Sequence, residues 1–272
     1  MTAARRDINS RVIEARQSRI HCQYSADATH MTESWNLLSN DPNSPVAQKA
    51  RQAALAQARA PASILDREQY LSDLVAGLKV LDVGVVAHTP EACQSPAWLH
   101  RRLSASASSC LGCDILEREV ARLRELGFDV VCHDICREPL DDLFDIIVCG
   151  ELIEHVDRPG ALFENCAKML SQGGKLALST PNPWFLTYTL KGLFNREPLI
   201  DSVDHVAWYD PATLFELGMR HGFRLARYTD VRVTRTYSRM ASLLFSLARP
   251  LIRIGMRREA FAKSIIYEFV KE

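Results

Sequence analysis

The sequence predicts an α/β protein whose doubly wound, mostly parallel sheet has seven strands, preceded by an N-terminal helical appendage. Short apolar, β-branched runs alternate with helical segments between residues 79 and 180, which is typical of a parallel sheet covered on both faces. Acidic residues follow several of these runs, where parallel strands release the chain. A hydrophobic fraction of 47% with 24% charged residues is typical of a globular chain.

The elements follow in order along the chain. Residues 1–63 are polar, with a break at 41–45 and a helical pattern at 46–58, and we expect an arm or lid, or a dimer arm. Residues 64–272 form the α/β domain, with an insert around 181–210 near the substrate. The predicted strands are residues 79–83, 110–113, 129–132, 145–149, 174–179, 224–233 and 264–270. The predicted helices of the domain are residues 97–104, 117–126, 160–170 and 211–221.

Charge is unevenly distributed, although the formal net charge is zero. Residues 220–272 contain twelve Arg or Lys against four Asp or Glu, which makes either a solvated basic face or a surface for lipid or nucleic acid. The apolar segment 243–254 is interrupted by Arg249, Pro250 and Arg253, and we expect a helix packed on the domain or lying on a surface. No signal peptide and no membrane span are recognised, so we expect a cytoplasmic protein.

The eight cysteines allow two interpretations. Cys110 and Cys113 form a C-x-x-C pair, and Cys132 and Cys136 form a C-x-x-x-C pair, which is compatible with structural zinc. Most of them fall in or beside predicted core strands, where cysteine behaves as a small buried hydrophobe. We therefore expect reduced thiols.

The acids at the predicted strand ends indicate a nucleoside site. Asp114 follows the second predicted strand, and a carboxylate accepts two hydrogen bonds from a ribose diol. Asp134 follows the next strand and is placed to meet an adenine edge. Asp82 precedes Gly84 and is placed to orient the loop or a ligand ammonium. A helix cap or a surface charge is the alternative for each acid taken alone.

These motifs resemble class I S-adenosylmethionine-dependent methyltransferases over about residues 70–223. The motifs lie at residues 80–84 (VLDVG), 112–115 (GCDI), 144–148 (FDIIV), 151–155 (ELIEH) and 170–176 (LSQGGKL). Residues 179–183 (STPNP) and 204–211 (DHVAWYDP) are similar to a subgroup from bacterial glycan and small-molecule pathways. The resemblance implies a Rossmann-like seven-stranded sheet and S-adenosylmethionine as the cofactor.

The resemblance also implies a set of cofactor contacts. Asp82 and Gly84 line the methionine end, Asp114 holds the ribose, and Asp134 and Ile135 meet the adenine. The remaining implied contacts are Ile115 and Cys149. One departure concerns the first loop, where Val86 and His88 stand at positions that carry glycine in the family. Because glycine lets a backbone approach a ligand closely, we expect a reshaped loop, or else a non-catalytic relative.

A second constellation comprises Glu151, Glu154 and His155. Spacings of three and four residues place all three on one face of a helical turn. The cluster is similar to the Glu-x-x-Glu-His of plant small-RNA 2′-O-methyltransferases and ubiquinone-pathway O-methyltransferases, which implies a divalent metal with His205 as the fourth ligand. The alternatives are a helix cap with a packed histidine, or His155 or His205 as the general base.

The sequence thus predicts methyl transfer to a hydroxyl of a sugar, glycan precursor or small metabolite. The aromatic candidates for walls of the acceptor pocket are Trp184, Phe185, Tyr188, Trp208 and Tyr209. Two other functions stay open at this point. One is an RNA 2′-O-methyltransferase, and the other is a binding protein on a degenerate methyltransferase fold. A homodimer also stays open as a partner, formed through the N-terminal arm.

Overall fold

The structure is a computed structural model that describes residues 39–61, 65–87, 90–194, 202–232, 255 and 258–272. The predicted arm before residue 39, His88 and the whole of the apolar segment 243–254 lie outside these ranges. The α-helices are α1 Pro45–Ala58, α2 Arg67–Leu74, α3 Leu99–Ser106, α4 Glu117–Glu125, α5 Pro159–Met169, α6 Leu186–Phe194 and α7 Pro211–Arg220. Short 3-10 helices span Pro90–Gln94, Ile153–His155 and Arg258–Phe261.

The sheet contains eight strands within the described residues: β1 Leu65–Asp66, β2 Lys79–Val83, β3 Ser109–Asp114, β4 Val130–Cys132, β5 Phe144–Gly150, β6 Leu170–Pro181, β7 Phe223–Arg232 and β8 Ser264–Lys271. Their order is β1-β7-β8-β6-β5-β2-β3-β4. Strand β8 runs antiparallel to β6 and β7, and the other pairs are parallel. The expected mixed, mostly parallel α/β sheet is confirmed. The sheet has one strand more than the predicted seven. The additional strand is β1, whose two residues are too few to show a periodic pattern.

The strands bury alternate residues on the two faces of the sheet. On one face, Leu81 and Ile147 belong to the larger core cluster, together with Leu162 of α5 and Leu214 of α7. On the other face, strand residues pack against side chains of α2 and α3. Asp82 lies between Leu81 and Val83, which both belong to the larger cluster. Its side chain therefore points to the opposite face, where α3 lies.

Helix α1 packs on the α/β core rather than standing apart from it. Ser44 caps its first turn by accepting from the Ala47 amide, and Pro45 takes the first helical position, where no amide hydrogen is needed. Ala58 is buried in the larger core cluster. Arg51 pairs with Glu216 of α7 and lies 4.4 Å from the Phe215 ring centre. These contacts join residues 45–58 to the β7 and α7 side of the domain.

The strand order reverses between β2 and β5. The chain runs outward from β2 through β3 to β4, and returns to β5 on the other side of β2. In open α/β sheets the ligand crevice lies outside the carboxyl ends of the strands at such a point. The carboxyl ends of β2, β3 and β5 are therefore the first place to examine. No helix among the described residues is long and apolar enough to cross a membrane.

Candidate active site

Asp82 is paired inside the protein at the carboxyl end of β2. Its Oδ2 lies 3.0 Å from Nδ1 of His100 in α3, and both side chains are almost fully buried. The Trp98 ring packs against the His100 ring, with centroids 5.2 Å apart. Asp82 therefore anchors α3 to β2 directly beneath the first loop.

Gly84 begins this first loop in a conformation that favours glycine. Its φ is +82°, and its amide donates to the Cys113 carbonyl at 2.8 Å. A Cβ at this position would lie 3.0 Å from Cδ1 of Leu152. Farther along, Trp98 Nε1 donates to the Val85 carbonyl at 3.0 Å. The first loop is thus held by hydrogen bonds at Gly84 and Val85.

Asp114 lies at the carboxyl end of β3 and is 8% exposed. One carboxylate oxygen accepts from the Val86 amide at 2.9 Å, and the other accepts from the Leu116 amide at 3.1 Å. Burial raises the pKa of Asp114, and these backbone hydrogen bonds oppose the rise. A carboxylate has about four acceptor positions, so two remain for a ribose diol. The neighbouring Ile115 side chain is 65% exposed and offers an apolar face beside that carboxylate.

The other predicted cofactor contacts, Asp134, Ile135 and Cys149, differ in their exposure. Asp134 accepts from the Cys136 amide at 2.9 Å and pairs with Arg137 at 3.1 Å. The Ile135 side chain is buried in the core, so Ile135 can offer a ligand only its backbone. The same holds for Cys149, whose buried thiol has a pKa raised by a hydrogen bond with Cys166 and by burial.

Glu154, His155 and His205 form a close group beyond the carboxyl end of β5. One potential ligand atom from each residue lies within 4.8 Å of the others. The two imidazole centroids are 4.7 Å apart, with the rings edge to face. The Val206 and Ala207 amides donate to the Glu154 carbonyl at 2.8 and 3.3 Å, and these bonds hold the segment with His205 against the 3-10 helix. The structure thus brings together three of the four predicted metal ligands.

Glu154 is buried, with 1% of its surface exposed. Its Oε2 accepts from Thr180 Oγ1 at 2.9 Å, and its buried Oε1 has no hydrogen-bond partner among the described residues. Burial raises the pKa of Glu154 to about 8, and the nearby charge of Glu151 adds to the rise. Glu154 is therefore a protonated carboxyl near neutral pH, with one unsatisfied oxygen.

His155 is oriented by an acid from the other side of the site. Its Nδ1 lies 3.0 Å from Oδ2 of Asp204, whose Oδ1 accepts a hydrogen bond from the Ser202 hydroxyl. The Ser202 hydrogen bond lowers the pKa of Asp204, as does the charge of His155. Because an ionised carboxylate only accepts, Nδ1 of His155 carries the hydrogen and Nε2 carries the lone pair of the neutral ring.

Glu151 lies outside this group, contrary to the expectation that three residues share one helical face. The helical segment contains only residues 153–155, and Glu151 has a positive φ of 54°. Its carboxylate pairs with Arg67 at 3.3 Å and accepts from Ser264 at 3.3 Å. The i to i+3 argument fails here because β5 extends to Gly150 and leaves no helical turn at Glu151.

The predicted aromatic residues lie beside the histidines. Tyr188 contacts Trp208 with ring centroids 5.5 Å apart, and Trp208 contacts His205 at 6.1 Å. Phe185 packs edge to face on Tyr188 at 5.3 Å, whereas Trp184 is largely exposed. Burial raises the pKa of the Tyr209 phenol, and the Glu154 charge adds to it. These rings form an apolar flank of the histidine pair.

Four residues of the site were missed by the sequence analysis: Thr180, Asp204, Arg67 and His100. Thr180 and Asp204 lie inside the motifs at 179–183 and 204–211. Their polar side chains could therefore have been predicted as partners of Glu154 and His155. Arg67 and His100 come from helices that carry no motif. Only the sheet topology brings them to Glu151 and Asp82.

The cysteines do not form a metal-ligand group in the part of the chain that the structure describes. The described cysteines are all free thiols. Burial raises the pKa values of Cys110 and Cys113 to about 12. Both are therefore protonated thiols of the sheet.

Residues 92–178 match a family model described as a methyltransferase domain. A ubiquinone biosynthesis O-methyltransferase of Coxiella burnetii is 35% identical over 117 residues, which cover 41% of this chain and 50% of the relative. A protein of the same name from Proteus mirabilis is 27% identical over 194 residues, covering 60% and 75%. The chain spans about half the length of the first of these curated relatives.

Two solved structures share the fold. Magnesium protoporphyrin IX methyltransferase from Synechocystis, with bound S-adenosylhomocysteine, has a TM-score of 0.50 and 16% identity, covering 88% of this chain and 93% of that one. An S-adenosylmethionine-dependent methyltransferase of Thermotoga maritima has a TM-score of 0.50 and 13% identity, covering 82% and 91%. At these identities the likeness concerns the fold.

Proposed function

We propose that this chain, whose residues 92–178 match a methyltransferase domain, is a class I S-adenosylmethionine-dependent methyltransferase that methylates a hydroxyl of a small acceptor. The acceptor class is a sugar, a glycan precursor or another small metabolite. The observation that carries the proposal is the Glu154, His155 and His205 group, placed at the same sheet edge as Asp114. The name O-methyltransferase of the curated relatives supports a hydroxyl acceptor.

The carboxyl ends of β2 and β3 hold the cofactor in this proposal. Asp114 would accept the ribose hydroxyls at its free acceptor positions, and the exposed Ile115 side chain would lie beside the bound cofactor. The backbone at Gly84 lies against the methionine end, and Asp134 lies near the adenine edge. S-adenosylmethionine, when bound, supplies a methyl group on a sulfonium, which is an electrophilic carbon. Because Val86 already donates to Asp114, the ribose shares this carboxylate with the loop.

His155 removes the hydroxyl proton. The acceptor oxygen forms the new bond to the methyl carbon, the carbon–sulfur bond breaks, and the proton passes to Nε2 of His155. Asp204 stabilises the imidazolium that results, because its carboxylate holds Nδ1–H. His205 lies within reach as a second base. The protein contributes alignment and the removal of this proton.

The alternative form of the proposal is a divalent cation, which Glu154, His155 and His205 would hold. Nε2 of His155 would then be a ligand, and the cation would replace His155 as the group that promotes loss of the hydroxyl proton. The residues suit such a group, because Glu154 Oε1 is buried without a partner and two imidazoles with a carboxylate are a common transition-metal set. Glu154 must lose its proton before it binds a cation. A cation at this point lowers the pKa of a coordinated hydroxyl.

Transfer of a labelled methyl group tests this proposal. The protein is mixed with S-adenosylmethionine and a panel of sugars, phenolic metabolites and a short RNA, and each acceptor is examined for label. We expect a small hydroxyl compound to be labelled, and His155→Ala to lose most of that activity. Asp157→Ala, which changes an exposed residue near His155, serves as the matched control. Label on the RNA alone makes this a 2′-O-methyltransferase, and full activity of both His155→Ala and His205→Ala eliminates these residues as bases.

The non-catalytic alternative has one observation in its favour. The Val86 amide already donates to one carboxylate oxygen of Asp114, where a ribose hydroxyl would bind. A folded protein that fails to bind S-adenosylhomocysteine would make the degenerate-fold interpretation the leading one.

A further inference from the structure

Arg67 is a largely buried cation at the start of α2, with 12% of its side chain exposed. Its Nε and Nη2 donate to Oε1 of Glu68 at 3.2 and 2.9 Å. Its Nη1 lies 3.3 Å from Oε1 of Glu151. Burial lowers the pKa of Arg67, but Glu151 and Glu68 outweigh it and raise the pKa above its ordinary value. Arg67 is therefore a permanent positive charge between two carboxylates.

The fold delivers Arg67 to the active-site edge through β1. Leu65 and Asp66 pair in parallel with Val231 and Arg232, at the carboxyl end of β7. Asp66 then caps α2 by accepting from the Gln69 amide at 3.0 Å, so Arg67 stands at the first helical position. Arg67 lies outside residues 92–178, which match the methyltransferase domain.

Glu151 is held in a conformation that costs energy. A positive φ in a residue other than glycine or asparagine is uncommon and is found most often where surrounding contacts enforce it. The Glu151 amide donates to the Ser179 carbonyl at 2.9 Å and lies 3.1 Å from Ser179 Oγ. Its carboxylate is directed to Arg67 and Ser264. Glu151 is nevertheless close enough to Glu154 for its charge to act on that carboxyl.

We propose that Arg67 is a positioning residue that holds Glu151 apart from the Glu154, His155 and His205 group, and so keeps the cation site at three protein ligands. The proposal rests on the proposed function, because it concerns the same group. A carboxylate beside three potential ligands is itself a strong ligand for a divalent cation. The guanidinium neutralises this carboxylate and directs it to the other side of the site. One coordination position is thereby left for the acceptor oxygen.

Binding of Co²⁺ to the full-length protein tests this inference, with neither cofactor nor acceptor present. Visible absorption at one fixed pH reports both affinity and coordination. In Arg67→Met, the released Glu151 joins the group, and we expect Co²⁺ to bind at least about tenfold more tightly than in the wild type, the scale typical of changes around a metal site. Adding Glu151→Gln to Arg67→Met removes the gain. Arg67→Lys, which keeps the charge, stays closer to the wild type.

Two further variants keep the test decisive if Arg67→Met does not fold. In the wild-type background, Glu151→Gln leaves Co²⁺ affinity unchanged, whereas Glu154→Gln weakens it by about tenfold or more. Arg102→Met removes a cation that pairs with Asp66 rather than with Glu151, and serves as the matched control. If Arg67→Met folds but gains no Co²⁺ affinity, or Glu151→Gln weakens binding as much as Glu154→Gln, the proposal is overturned. Because Co²⁺ binding is read without S-adenosylmethionine, a missing methyl transfer leaves this result intact.

Discussion

Nδ1 of His155 lies 3.0 Å from Oδ2 of Asp204. The Asp204 carboxylate therefore determines which ring nitrogen of His155 carries the hydrogen. The carboxylate accepts the Nδ1 hydrogen and leaves Nε2 as the basic atom. Ser202 donates to the same carboxylate and keeps it ionised. The orientation of His155 therefore depends on residues about fifty positions away in the sequence.

Asp204→Asn is expected to lower kcat by about tenfold or more with little change in KM, because an asparagine amide that donates to Nδ1 favours the wrong tautomer. Steady-state kinetics and the nitrogen chemical shifts of His155 measure the two effects. Asp157→Asn serves as the control, since it removes an exposed acid near His155. An unchanged kcat, with the Nδ1–H tautomer retained, would contradict the role of Asp204.

The stability of the protein is expected to depend on the ionisation of Glu154. Its pKa is raised from 4.5 to about 8, so the folded protein holds this proton more tightly than the unfolded chain does. The associated stability is fully present below pH 4.5 and is lost as the pH rises to about 8. Glu154→Gln, which stays neutral, is expected to be more stable than the wild type by about 1–3 kcal/mol at about pH 9, and by much less at about pH 6.

Urea denaturation at the two pH values measures this difference. Thr180→Val is a companion variant, because it removes the hydrogen bond to Glu154 Oε2 and leaves the carboxyl in place. If the stability difference between Glu154→Gln and the wild type does not change with pH, Glu154 is ionised in the folded protein at neutral pH.

Gly84→Ala is expected to destabilise the fold by about 2 kcal/mol, through both the left-handed backbone and the approach to Leu152. Gly173→Ala is the matched control, because Gly173 has a φ of +74° and a Cβ there would meet nothing within 4 Å. It should lose only about 1 kcal/mol. Chemical denaturation measures both values, and equal losses would show that the Leu152 contact relaxes without cost.

The buried Asp82 and His100 pair predicts strong coupling in a double-mutant cycle. Removing either partner leaves a buried polar group unsatisfied and is expected to cost about 3–5 kcal/mol. The Asp82→Ala and His100→Ala double variant should lose clearly less than the sum of the two single changes. Additive losses would mean that the contact contributes nothing to the stability of β2 against α3.

Much of the fold was predictable because each strand from β2 to β5 is short, apolar and bounded by a turn or an acid. The predicted strand 174–179 is shorter than β6, Leu170–Pro181, because β6 continues through Gly173 despite the positive φ of that residue. Strand β1 has two residues and carries no pattern. The pairing of β8 between β6 and β7 depends on contacts far apart in the sequence.

The candidate site was predicted in part. The motifs named Glu154, His155 and His205, and the structure brings these three residues close together. Spacing failed for Glu151, because its positive φ and its pairing with Arg67 come from tertiary contacts. The side chains of Ile135 and Cys149 lie in the core. That these two residues contact the cofactor through their backbone atoms stays a prediction.

Calorimetric titration of S-adenosylhomocysteine into the chelator-treated protein tests the central claim most directly. We predict one-to-one binding by the wild type, and a loss of affinity of about tenfold or more in Asp114→Ala, because two ribose hydroxyls lose a shared carboxylate. Asp134→Ala is expected to lose less, since Asp134 already pairs with Arg137. Failure of the folded wild type to bind, or equal binding by Asp114→Ala, would contradict a cofactor site at the carboxyl ends of β2 and β3.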